Sequence, residues 1–194
     1  MVSAPLAAAG RPPLAATRRS RGTGLRRASI CGLLACTAAL ALPAPASAAD
    51  TDAASRIRTA YLLNFAKFTR WPAADASRAL RACLVADVAF GGHASGALQG
   101  QRVQGRVVDV REFPADVVPV DADCDLVYLQ AGRMIPLVGA LTVGEGPDFA
   151  ADGGMIGFVE RADRIRFVVN LPAVRAQGLD VDARLLGVAA EVRR

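Results

Sequence analysis

Histidine is almost missing from this chain: His93 stands alone among 194 residues. A single imidazole with no further histidine, cysteine or clustered carboxylates around it makes no zinc ligand set, and no serine has the setting of a hydrolase nucleophile. A loop or surface position is expected for it. Cysteine is scarce too, four in all, and no Cys-x-x-Cys spacing occurs, which removes the usual dithiol redox motif. Gly144, Gly146, Gly153 and Gly154 are not joined to a lysine in a phosphate-cradling pattern, so nucleotide binding has no support. Asp121, Asp123 and Asp125 alternate like the opening of a calcium loop. However, Leu126 stands where that loop needs glycine and Gly132 where it needs glutamate. No metal, cofactor or catalytic residue is therefore expected, and the chain does not read as an enzyme.

Long apolar runs are also absent. The run Ile30 to Leu42 has 13 residues, against about 20 for a membrane span. Arg11, Arg18, Arg19, Arg21, Arg26 and Arg27 precede it, and Ala46, Ser47 and Ala48 follow. This is the positive, apolar and small-residue order of a secretory signal, with cleavage expected after about Ala48. Residues 1–48 are thus expected to be a signal peptide and 49–194 the exported domain. Leu33-Leu34-Ala35-Cys36 looks a little like a lipoprotein cleavage box, but almost no apolar stretch precedes Cys36. The pairs Arg18-Arg19 and Arg26-Arg27 fit twin-arginine export as well as general secretion.

Removing that leader changes the electrostatics. It holds six of the 23 basic residues and none of the 18 acidic ones, which leaves 17 against 18 and a net charge of −1. The excess of positive charge belongs to the leader, so there is no global charge case for nucleic acid or an anionic membrane. The remaining 146 residues are the size of one domain and can bury about two thirds of their unfolded surface.

What is present is an alternation of strands and helical pieces. Ala54 to Arg70 reads as a helix in which Ile57, Ala60, Tyr61, Asn64, Phe65 and Phe68 share a stripe, with Leu62 and Leu63 on either side of it. It is more apolar than one buried face requires, so it is either covered on two sides or meets a partner protein. Asn64 is either a buried hydrogen-bonding anchor or an edge position. Trp71-Pro72 ends the helix. Strands are expected at Ala82 to Val88, Val107 to Phe113, Cys124 to Gln130 and Ala140 to Val143. Gly91, Gly92, His93 and Gly96 weaken any helix before Leu98.

Gly153 to Asn170 reads as an antiparallel hairpin. Its second run puts Ile165, Phe167 and Val169 on the core face and Arg164 and Arg166 on the other. Asn170 then caps a short helix over Leu171 to Gln177, with Pro172 early in it. Asp182 caps a last helix whose buried stripe is Leu185, Leu186, Ala189 and Val192. Together these pieces predict an α/β single-domain sandwich, a mixed β-sheet flanked by helices, parallel early and antiparallel late. Cys83 and Cys124 are an even pair in an exported chain, which favours a disulfide over a redox-active pair.

Several stretches together resemble the YfiR-like periplasmic protein family. They are Ala60-Tyr61-Leu62-Leu63-Asn64-Phe65-Ala66-Lys67-Phe68 running into Trp71-Pro72, Leu141-Thr142-Val143, Gly153-Gly154-Met155-Ile156-Gly157-Phe158, Arg164-Ile165-Arg166-Phe167 ending in Asn170-Leu171, and Arg184-Leu185-Leu186. The resemblance implies a periplasmic α/β domain that represses a membrane-anchored diguanylate cyclase by binding its periplasmic part, lowering cyclic di-GMP and biofilm formation. It implies that Cys83 and Cys124 match one of two family disulfides; Gly144 to Asp152 contain no cysteine for the other. The expected partners are the periplasmic domain of a membrane-bound signalling protein and a second copy of the chain, with Leu62, Leu63, Phe65 and Phe68 as contact residues. A periplasmic small-molecule-binding sensor is the alternative function.

Overall fold

The computed structural model describes residues 48–71, 77–117, 119, 123–133 and 137–194. The signal peptide expected over 1–48 lies outside them, apart from Ala48, which opens the first helix, α1 (Ala48–Phe68). This helix starts six residues before the expected Ala54 and ends two before Arg70, because Thr69–Arg70 leave it as a short strand, β1. Aromatic packing fixes α1 to the sheet. Phe65 lies 4.9 Å from Phe167 and 5.6 Å from Phe158 between ring centroids, and Tyr61 lies 5.3 Å from Phe167. Offset and edge contacts of this kind add to the large apolar area that each ring buries.

The chain then runs through β2 (Leu80–Val85), α2 (Val88–Leu98), β3 (Arg102–Val103), β4 (Arg106–Phe113), β5 (Leu126–Leu129), β6 (Leu141–Glu145), β7 (Ile156–Arg161) and β8 (Arg164–Asn170). It closes with α3 (Leu171–Ala176), β9 (Asp180–Val181), α4 (Ala183–Leu186) and β10 (Glu191–Arg193). Eight strands form one sheet in the order β10-β8-β7-β6-β5-β2-β4-β3, while β1 pairs with β9. The run β4-β2-β5-β6-β7 is parallel throughout, and β7 and β8 form the antiparallel hairpin. The mixed α/β sheet expected from the sequence is what forms.

Period-two alternation divides the strands between two cores. Leu80, Ala82 and Leu84 of β2, Leu126 and Tyr128 of β5, and Ile156 and Phe158 of β7 face the side where the helices pack. Cys83, Val85, Val127 and Leu129 face the other side, which Leu137, Ala140 and Phe149 cover from connecting segments instead of helices. Phe149 needs space there. A Cβ at Gly144 would lie 2.3 Å from its ring and one at Gly154 2.2 Å from it. These glycines serve packing, which their spacing alone does not reveal.

Two elements differ from expectation. The glycine-bearing segment 88–98 is a helix after all, because Asp87 accepts a hydrogen bond from the Phe90 amide and Phe90, Ala94 and Leu98 bury one apolar face at four-residue spacing. The last helix is only four residues long, and Val192 belongs to a strand that pairs parallel with β8. Asp182 and Asn170 do cap their helices, as their positions suggest.

Candidate functional site

At the amino ends of β2, β5 and β6 the chain buries a charge cluster. Asp125 is 2% exposed and Arg106 6%. Arg78 grips the Asp125 carboxylate with two hydrogen bonds of 2.7 and 2.9 Å, and Arg106 adds one of 2.6 Å. The Arg81 amide donates to the same group at 2.8 Å, and the Trp71 indole donates to the Asp125 carbonyl at 3.1 Å. Arg81 in turn pairs with Asp123. Asp123 and Asp125 of the alternating aspartates therefore hold arginines; Asp121, the first of the series, lies outside the described residues. A cavity of about 470 Å³ opens beside this cluster, lined by Trp71, Arg78, Asp123, Gln177 and Leu179 among others. Cys124, which also lines it, is bonded to Cys83, with Cα atoms 6.0 Å apart and both side chains buried.

The place where a doubly wound fold binds phosphate is taken. In such sheets ligands sit outside the carboxyl ends of the strands where chain order reverses, on a helix amino terminus. Here that position follows β2, and Asp87 occupies it. Its carboxylate accepts from the Phe90 amide at 2.8 Å and from the Gln130 amide group at 2.7 Å, which lowers its pKa. An incoming anion would meet a fixed negative charge. His93 sits half-buried on α2 without a metal-ligating neighbourhood, and among the described residues no group of three histidine, cysteine or acidic side chains is placed to hold a metal ion.

An open surface feature lies between the first turns of α1 and the β7–β8 hairpin. One cavity of about 580 Å³ is lined by Asp50, Ala53, Ala54, Ile57, Tyr61, Glu160, Asp163, Arg164 and Ile165. It shares Glu160 and Ile165 with a second of about 280 Å³ over Arg58, Glu145, Pro147 and Phe158. The inner end is braced by three side chains: Glu145 accepts from the Tyr128 hydroxyl at 2.6 Å and from Arg58 Nε at 2.8 Å. Burial, then the charge of Glu145, pushes the Tyr128 phenol far up, so it stays a hydrogen-bond donor. Burial works against the charge on Arg58, but its hydrogen bond and ion pair with Glu145 outweigh that and raise its pKa. Ile57 is 45% exposed on the groove floor.

The four contact residues expected on α1 are not on this surface. Leu62 and Phe65 are 1% and 0% exposed, closed off by the sheet and its aromatic cluster. Leu63 and Phe68 are half-buried and pack against the same core. The surplus apolar surface of α1 is taken up on two sides, by the sheet and by α2 and α4. Asn64 is half-buried. The groove residues Ile57 and Ile165 were missed as a pair because they meet only through tertiary structure. Helical phase put Ile57 on the same stripe as Tyr61 and Phe65, and alternation put Ile165 on the core face of the hairpin, so no local signal marked the groove.

Fold and surfaces together define a mixed α/β domain whose helix amino terminus after β2 is capped by Asp87 and which has an open groove elsewhere, between α1 and the β7–β8 hairpin. The chain belongs to the YfiR/HmsC-like family, whose model matches residues 55–190. Members of this family are periplasmic regulatory proteins, not enzymes, and the family implies a membrane signalling protein as partner. No curated protein matches the chain. No described helix is long and apolar enough to cross a membrane.

Proposed function

We propose that this protein is exported to the periplasm and represses a membrane-anchored diguanylate cyclase by binding the periplasmic domain of that enzyme, lowering cyclic di-GMP and with it biofilm formation. Family membership supplies the kind of partner. The observation that carries the reading is the combination of a helix amino terminus sealed by Asp87 with an open, apolar-floored groove at α1. A chain built this way has more to offer a protein surface than a reacting substrate. Binding would favour the inactive state of the cyclase by its differential affinity for the two states.

Spheroplasts of a strain lacking the gene expose the outer face of the inner membrane and give a direct test. Adding the purified protein outside is expected to lower their cyclic di-GMP synthesis. Unchanged synthesis at saturating protein would overturn the proposal. The cavity of about 470 Å³ beside Trp71 and Arg78 falls in the size range of small-molecule sites, and it favours a second reading as a ligand sensor. A melting temperature raised by a periplasmic metabolite without any partner would support that one.

A further inference from the structure

The charges around the α1 groove are unevenly spent. Arg58 pairs with Glu145, Asp52 with Arg56, and Arg161 with Glu191. Among the described residues Asp50, Glu160 and Asp163 form no ion pair, and Arg164 is the one groove cation that also forms none. Glu160 lies near enough to Arg58 to help hold its charge without pairing to it. The rim of the groove thus carries three carboxylates outside ion pairs against one such guanidinium, and cleavage after Ala48 would add the positive charge of a new amino terminus beside Asp50. Its floor is apolar: Ala53, Ala54, exposed Ile57, Tyr61 and Ile165.

The groove is also long. Asp50 and Tyr61 lie on one helix, and at roughly 1.5 Å per residue they span about 16 Å. That length matches about three turns of an amphipathic helix. Resting on the reading that this protein acts by contact with a partner, we infer that the groove takes a basic amphipathic segment of that partner. Apolar side chains of the segment sit on Ile57 and Ile165, and its lysines or arginines face Asp50, Glu160 and Asp163. An apolar centre with a charged rim is the usual division of labour in such contacts, the centre giving affinity and the rim orientation and selectivity. Anionic lipid is disfavoured by the same carboxylates.

Two synthetic probes test this without the cyclase. One is a 14-residue helical peptide with leucines on one face and lysines on the other; its twin carries glutamates in place of the lysines. Fluorescence anisotropy with the protein purified from the periplasm is expected to show binding of the lysine peptide only, weakening as salt rises. Ile57→Ser, and separately Asp50→Lys with Glu160→Lys, are each expected to weaken it by about tenfold or more. Their melting temperatures are expected to stay at the parent value, and Asp109→Lys on β4, away from the groove, is expected to bind as the parent does.

Equal binding of the twins, binding of neither, or indifference to the groove variants would overturn the inference, as would sedimentation with vesicles of anionic lipid. In cells the two groove variants are expected to raise cyclic di-GMP to the level of the deletion strain. If deletion itself changes nothing, the cyclase reading fails, and the peptide result still decides the chemistry of the groove.

Discussion

Asp125 shows how much depends on one buried carboxylate. Two guanidiniums and a backbone amide converge on it, and little of the group reaches water. Removing the carboxylate leaves Arg106 as an unpaired buried charge, which is costly. Asp125→Ala is expected to lose about 3–5 kcal/mol in denaturant unfolding. A loss below about 1 kcal/mol would show that the cluster relaxes into solvent. In the sequence Asp125 looks like one of three alternating aspartates, because nothing local announces an arginine 47 positions upstream. Phe149 poses the same difficulty. Gly144→Ala or Gly154→Ala would drive a methyl into its ring and is expected to cost about 1–3 kcal/mol or more.

At the scale of elements, caps and apolar spacing were the readable signals, and glycine was the misleading one. Asn170 and Asp182 announce their helices because a side-chain acceptor ahead of a short apolar run has a local physical role. The hairpin was legible through alternation, although its turn places Ala162 and Asp163 at positive φ without glycine. Helix α2 was not legible, since Gly92 and Gly96 disfavour it; a Cβ at either would meet open space. Gly92→Ala and Gly96→Ala are therefore each expected to stabilise the protein by up to about 1 kcal/mol. Lower melting temperatures would mean that something packs on that face.

The capping carboxylates also set a pH response. Hydrogen bonds from the Phe90 amide and Gln130 lower the pKa of Asp87, and those from the Arg184 side chain and amide lower that of Asp182 to about 2. A depressed carboxylate contributes stability above its unfolded pKa and loses it as pH falls through the folded one. That contribution should vanish between about pH 4 and pH 2. In thermal melts over this range the double variant Asp87→Asn, Asp182→Asn keeps its caps and is expected to lose stability less steeply than the parent. An identical slope would remove these groups from the acid response.

For the whole molecule, fold class and strand order along the chain followed from alternation and run length. The sheet order did not, because placing β4 and β5 on opposite sides of β2 is a long-range choice that no local pattern records. Which apolar residues of α1 stay exposed was hard to read for a related reason. Helical periodicity identifies which faces of α1 are apolar, but only packing against Phe158, Phe167 and α2 shows that Leu62 and Phe65 are spent inside while Ile57 is left out. The disulfide belongs to this scale too, since it ties Cys83 of β2 to Cys124, 41 residues on, in the segment that leads into the neighbouring strand β5. Cys83→Ala with Cys124→Ala is expected to lower stability by up to about 4 kcal/mol by loop entropy. Repression is expected to persist wherever that variant is still folded.

The measurement that bears most directly on the central claim is cellular cyclic di-GMP in the native host. It would be taken with the gene deleted, and then with it restored either with its leader or without residues 1–48. Repression from the periplasm predicts a rise on deletion that only the leader-bearing form reverses. Levels that stay flat across growth and redox conditions, or a leaderless form that reverses the rise as well, would contradict it.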